Sequence, residues 1–269
     1  MQKRILIVSQ EVSPYISESS LGEYVLELAK VVKKNKDTEV RLFMPRYGCI
    51  NERRHQLHEV IRLSGVNIVV NDIDQPLIVK VASVPQARLQ VYFIDNDEYF
   101  QRKLILHDKQ NKLVPDNDER MLFFCRGVLE TLQMLGWSPN ILHCHGWFSA
   151  LLPLYFKKIY KDQDSVFTDT KIITSLYKQP FKGSLDKNLI NKIDFDGIDI
   201  SELEDLKKPN IENLLQLATR FSDGVIFEEN FKNDGIKEQC EKHNIPLLSP
   251  QDLKEYYTFY QNFFSEALV

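Results

Sequence analysis

KRILIVSQEVSPYISESSLGEY, residues 3–24, decides how the rest of the chain is read. Its first third is an unbroken aliphatic run, the pattern of a strand buried on both faces, as in a parallel sheet. Ser20-Leu21-Gly22-Glu23 has the spacing of a capping box, which predicts a helix running on through YVLELAKVVKKN. A strand, a loop and a helix at the start of an α/β chain form a ready anion site. The strand delivers the chain to the carboxyl edge of the sheet, and the helix start presents free N–H groups. Such loops are usually glycine-rich, because glycine lets the backbone close on a phosphate. This one carries Ser17, Ser19 and Ser20, with an acid at Glu18. From these residues it is either a phosphate site or the remains of one.

Working outward, EVRLFMP (39–45) is a second strand, ended by Pro45. VIRLSGVNIVV, PLIVKVASV and LQVYFID are strand-like runs that form a β-rich insert at about 57–95. DERMLFFCRGVLETLQML (118–135) has apolar residues at helical spacing, and NILHCH is a short strand. WFSALLPLYFKKIY reads as a helix that Pro153 would bend. TKIITSLY and DGVIF are strands, while NIENLLQLATRF and FKNDGIKEQCEKH are helices. KDQDSVFTD (161–169) reads as a mobile loop, and DLKEYYTFYQNFFSEAL as an aromatic-rich amphipathic helix that must pack on something. This alternation predicts one α/β domain over 1–269, doubly wound around a mainly parallel, Rossmann-like sheet. The strand at 4–9 belongs near its centre.

A formal net charge of −4 argues against nucleic acid or an anionic membrane as partner. Cys49, Cys125, Cys144 and Cys240 have no paired spacing and read as free thiols of a reducing compartment. The apolar part of MQKRILIVSQE is too short for a signal peptide. No run of about 18 apolar residues suggests a membrane span, so the expected location is cytoplasmic.

Chemistry concentrates in HCHGWF (143–148). His143 and His145 are read as pointing to opposite faces of the strand end, one of them toward the carboxyl-edge crevice. Diverging imidazoles without a nearby carboxylate make a metal site improbable, and no cofactor is expected. Trp147 reads as core. DNDER (116–120) is an acid cluster at a helix start, where capping and the helix dipole account for it. FMPRY (43–47) sends Arg46 and Tyr47 toward the crevice, Arg46 either to contact phosphate or to pair with a carboxylate.

Together these stretches resemble the glycogen/starch synthase family, glucosyltransferases that extend α-1,4-glucan from ADP-glucose. The family opens with a strand, then E-V-x-P-F/Y and K-T-G-G-L-G-D. Here Glu11-Val12-Ser13-Pro14-Tyr15 and Leu21-Gly22 keep that order, and MPRY, YFIDNDEYFQR, DNDERMLFF and HCHGW follow it as further landmarks. The resemblance is strong from residue 3 to about 160 and weaker to about 230. It implies the N-terminal half of a two-domain GT-B enzyme, with ADP-glucose and α-glucan as ligands. It places His145 at the transferred glucose, and Ser17, Ser19, Ser20, Gly22 and Arg46 about the nucleotide sugar.

The departures are specific. The family's lysine falls at Ser17, its threonine at Glu18 and its two glycines at Ser19 and Ser20. H-x-H-D-W-H becomes His143-Cys144-His145-Gly146-Trp147-Phe148, T-I-H-N falls at Ser175-Leu176-Tyr177-Lys178, and FEENF stands at V-S-P. The chain ends after about one domain, with the terminal helix as its expected close. Two functions follow as expectations. One is glucosyl transfer that needs a partner chain to supply the second half. The other is a non-catalytic binding or regulatory protein that recognises glucan, nucleotide sugar or a partner glycosyltransferase.

Overall fold

The computed structural model describes residues 2–85, 87–163, 165–178, 181–228 and 231–264. In chain order the elements are β1 (Lys3–Ser9), α1 (Ser20–Lys33), β2 (Thr38–Pro45), α2 (Glu52–His55), β3 (His58–Glu59), β4 (Asn67–Val70), β5 (Ile73–Pro76), β6 (Ile78–Val84) and β7 (Leu89–Asp95). There follow α3 (Asp97–Phe100), α4 (Asn117–Leu135), β8 (Ile141–His145), α5 (Leu152–Tyr155), β9 (Lys171–Leu176) and α6 (Leu189–Phe195). The chain continues through α7 (Ile211–Arg220), β10 (Gly224–Phe227), α8 (Asp234–Lys242), β11 (Leu247–Leu248) and α9 (Lys254–Gln261).

Nine strands form one sheet in the order β11-β10-β9-β8-β1-β2-β7-β6-β3. Every pair from β11 to β7 is parallel, and β6 and β3 close the edge antiparallel. The mainly parallel α/β sheet expected from the sequence is the one found. β1 lies between β2 and β8, with Ser9 beside His145. Successive connections leave the two sides of β1 there, which opens a crevice at the carboxyl ends of the strands.

Local chemistry explains these elements. Leu21, Val25, Leu28, Ala29 and Val32 form the buried stripe of α1, each large side chain worth about 1.5–3 kcal/mol of burial. Glu23 in its first turn and Lys30 and Lys33 in its last suit the helix dipole. The cap differs from the sequence reading. Ser19, not Ser20, is the N-cap, and its Oγ accepts the Gly22 N–H at 2.8 Å.

Two further expectations change. LQVYFID is no part of an insert: β7 is an inner strand, parallel to β2 and antiparallel to β6, because its residues are buried on both faces. Pro153 starts a helix rather than bending one. It stands in the first turn of α5, where the missing N–H costs nothing.

The terminal aromatic segment packs as α9, burying Tyr256, Phe259 and Tyr260, while 265–269 lie outside the described residues. The segment at 161–169 forms turns and a short 3-10 helix at Ser165–Phe167, with Asp164 outside the described residues. All four cysteines are free thiols, and among the described residues no helix is long and apolar enough to cross a membrane.

Candidate active-site cleft

At the carboxyl edge, the segments that leave β1 and β8 approach each other closely. Gly146 takes φ +79°, and a Cβ there would lie 2.6 Å from Gln10 Oε1. The same oxygen accepts the Phe148 N–H at 3.2 Å, tying the two strand ends together. Beside this junction opens a cleft of about 510 Å³, floored by Gln10, Glu11, Trp147 and Phe181 and walled by residues 103–109. The Trp147 and Phe181 rings are 4.8 Å apart and buried at 3% and 5% exposure, so Trp147 is core as read from the sequence and the two rings back the cleft from behind its polar floor. The polar lining, Glu11 with His107 and Asp108 of the wall, suits a ligand rich in hydroxyls.

The wall is held from below by the DNDER turn. Arg120 is fully buried and donates to the carbonyls of Tyr99 (2.9 Å) and Ile105 (2.7 Å) and to Asn117 Oδ1 (2.7 Å). Asn117 Nδ2 donates to the Leu106 carbonyl at 2.7 Å. The dipole reading of this acid cluster therefore missed its main work. An arginine and an amide buried in the first turn of α4 fasten the loop that shapes the cleft, and only long-range packing reveals the carbonyls they bind.

Of the four polar residues at 17–20 in the opening loop, Ser19 alone turns inward. Ser19 Oγ donates to Glu11 while it caps α1. Ser17, Glu18 and Ser20 are exposed, and Glu18 takes φ +63°. Gly22 is needed for close packing, since a Cβ there would sit 3.0 Å from the Ser13 nitrogen. Arg46 turns to carboxylates, the second of the two alternatives open to it. It donates to Glu52 through Nε at 2.6 Å and lies 3.5 Å from buried Asp95, which Lys80 also reaches at 3.0 Å. None of Ser17, Ser19, Ser20, Gly22, Arg46 and His145 lines the 510 Å³ cleft.

The histidines correct the reading that they diverge. Residues two apart on a strand share a face, and the His143 and His145 rings lie 3.9 Å apart with His145 Nε2 and His143 Nδ1 at 3.1 Å. Both are fully buried. Tyr177 Oη meets His145 Nδ1 at 2.5 Å, while Tyr260 Oη and Ser175 Oγ meet His143 Nδ1 and Nε2, each at 2.7 Å. Burial holds the His145 imidazole down at about 3, and burial with the neighbouring His145 holds His143 well below its ordinary value. Two neutral rings result, each with one donor and one acceptor nitrogen.

The network continues to Glu228, almost completely buried, whose Oε2 accepts from Tyr256 at 2.5 Å and Tyr24 at 2.9 Å. Burial pushes this carboxyl up, against the hydroxyls of Ser175, Tyr256, Tyr24 and Tyr177 that pull it down. Sequence reading passed over Tyr24, Glu228, Tyr256 and Tyr260. The available signals were Tyr177 at a histidine position and the glutamate in FEENF.

The strand-loop-helix opening, the fastened wall and the histidine pair at the switch point now stand together. Residues 4–233 match the model of the starch synthase catalytic domain. The chain belongs to the glycogen/starch synthase family. It is 38% identical to the glycogen synthase of Chlorobium limicola over 191 residues, covering 71% of this chain and 39% of that one. The glycogen synthase of Chlorobaculum parvum is 35% identical over 212 residues, covering 74% of this chain and 43% of its own length. The chain thus spans about 39–43% of these family members. In fold it is similar to the catalytic domain of starch synthase IV from Arabidopsis thaliana bound to ADP and acarbose. The TM-score is 0.75 at 19% identity, covering 92% of this chain and 51% of that one. The parallel sheet with β1 at its switch point is therefore that of a GT-B glycosyltransferase half.

Proposed function

We propose that this chain is a glycan-recognition unit of the synthase family that binds α-1,4-glucan in the Trp147–Phe181 cleft and does not transfer glucose by itself. One observation carries this reading: His145, the residue matched to the family's glucose contact, offers no nitrogen to the cleft. Both its nitrogens are engaged inside the protein, by Tyr177 and His143. The opening loop supports it further, since Ser17 and Glu18 leave no cation where a diphosphate would need one. Arg46 is spent on Glu52 and Asp95. Transfer chemistry depends on charge complementarity assembled on both sides of a cleft, and this chain would supply one side. The ADP and acarbose bound to the starch synthase IV domain support a sugar nucleotide and an α-glucan as the ligand classes.

The second reading, transfer when the other half of the cleft is supplied, is favoured by the match of residues 4–233 to the starch synthase catalytic domain. A glucosyl-transfer assay with ADP-glucose and glycogen, with and without cell extract, separates the two. Activity of the purified chain alone overturns the proposal, and activity only with extract selects the second reading.

The loop makes its own prediction. Ser17→Lys restores a positive charge, and Glu18→Gly removes a negative one at a left-handed position that a β-branched threonine would strain. A charge-assisted hydrogen bond is worth about 1.5–3 kcal/mol, so the double variant should bind ADP-glucose roughly tenfold or more tighter by calorimetry. Equal affinity in wild type and variant would show that the loop takes no part in anion binding.

A further inference from the structure

The first turn of α4 has two sides. Asn117 and Arg120 fasten the cleft wall, whereas Asp118 and Glu119 face away and receive Lys192 of α6 at 2.6 and 2.7 Å. Glu119 also accepts from Asn71, at the tip of the β4–β5 hairpin, at 3.3 Å. Between hairpin tip and α6 lies a second hollow of about 360 Å³. Asn188, Asn191 and Phe195 line it, three residues spaced three and four apart and therefore on one helix face. The opposite face of α6 carries Leu189 and Ile193, both fully buried, so the exposed face is free of any packing duty.

Phe195 is 56% exposed at this hollow, beside Asp72. The ring stands among the exposed amides of Asn188 and Asn191 and the carboxylate of Asp72. An apolar ring bordered by amides and a carboxylate matches a pyranose, which offers one C–H face and hydroxyls that both donate and accept. Charge narrows the ligand. The Lys192 ammonium is held by Asp118 and Glu119, while Asp72 and Asp186 add negative charge, so phosphate-bearing ligands are repelled. Among the described residues no group of three or more acids, histidines or cysteines is placed to hold a metal ion.

We infer that the Asn188–Asn191–Phe195 face of α6 is a subsite for neutral α-glucan, set beside the cleft on the far side of the DNDER turn. This rests on the glucan-binding reading of the cleft and extends it. The first turn of α4 serves both hollows, Asn117 and Arg120 fastening the wall of one and Glu119 lining the other, so a glucan held in the cleft is offered a second contact. Cooperation of two weak contacts on one polymer raises affinity for long glucans more than for short ones.

Native gel electrophoresis in glycogen-containing gels, with calorimetry of maltoheptaose and ADP-glucose, tests the inference. Phe195→Ala and Asn191→Ala change exposed side chains, and Glu11→Gln changes the cleft floor. Phe195→Ala should weaken maltoheptaose binding about fivefold and reduce retardation by glycogen, with ADP-glucose affinity unchanged. Glu11→Gln should leave retardation that a second substitution at Phe195 abolishes. Wild-type glucan binding in both α6 variants overturns the subsite and leaves the cleft reading standing. A parallel loss of ADP-glucose affinity in Phe195→Ala overturns its neutral-glucan character. A wild-type chain that binds neither glycogen nor maltoheptaose overturns both readings.

Discussion

Gly48→Ala should cost the fold about 3 kcal/mol or more and disturb the cleft with it. A Cβ at Gly48 would lie 1.9 Å from the Gln101 carbonyl oxygen, 2.5 Å from its carbon and 2.7 Å from the Arg102 oxygen. These are backbone atoms, which no rotamer change can move aside. The Gly48 N–H donates to the Arg102 carbonyl at 3.1 Å, so the two segments are bonded where they touch. Residues 103–109, the cleft wall, follow directly from this contact. Urea unfolding should show a strongly lowered midpoint for Gly48→Ala. Gly235→Ala is the control, since its Cβ in α8 meets Asn233 Oδ1 at 3.5 Å and alanine favours the helix by about 1 kcal/mol or less. Equal midpoints for wild type and Gly48→Ala would refute the close approach.

Acidification from pH 7 to pH 5 should remove about 2 kcal/mol of stability through His145 alone. The sign follows from proton counts. The unfolded chain takes up a proton near 6.5, whereas the folded His145 does so only near 3. Its contribution is complete above 6.5 and is lost as the pH falls from there toward 3. His143, held down by burial and by His145, acts in the same direction. Glu228 acts in the opposite one: its raised carboxyl stabilises the fold below the ordinary carboxylate value and loses that contribution as the pH rises through the folded value. The informative measurement is therefore the slope of unfolding free energy against pH in wild type and His145→Gln. The variant should lose about one proton's worth of slope between pH 6.5 and 5. Parallel curves would mean that His145 protonates freely in the folded chain.

Much of the fold was legible because its determinants are local. KRILIVS, LFMP and TKIITSL are runs that only a two-sided burial explains, and they became β1, β2 and β9. DERMLFFCRGVLETLQML kept helical spacing for its whole length and became α4. The cap was misplaced by one residue because Ser19 and Ser20 are both good caps, and Glu11, eight residues upstream, is a partner of the one chosen. The α6 helix went unread because its seven residues show only a short apolar stripe.

The amino-acid order alone settled the strand-helix alternation, the central position of β1 and the family, since each rests on patterns within a few residues or on short motifs in series. The candidate site was settled elsewhere. That His143 and His145 share a face follows from strand geometry, but what meets them does not: Tyr260 lies 117 residues from His143, Ser175 comes from the neighbouring strand β9, and Tyr177 stands just past its end. The carbonyls that Arg120 holds lie 15 and 21 residues before it, Ile105 in the cleft-wall loop and Tyr99 in the four-residue α3. Whether a histidine is a free base at a crevice or a neutral ring locked inside depends on which distant hydroxyls reach its nitrogens. That is a property of packing between elements, and no local pattern of residues encodes it.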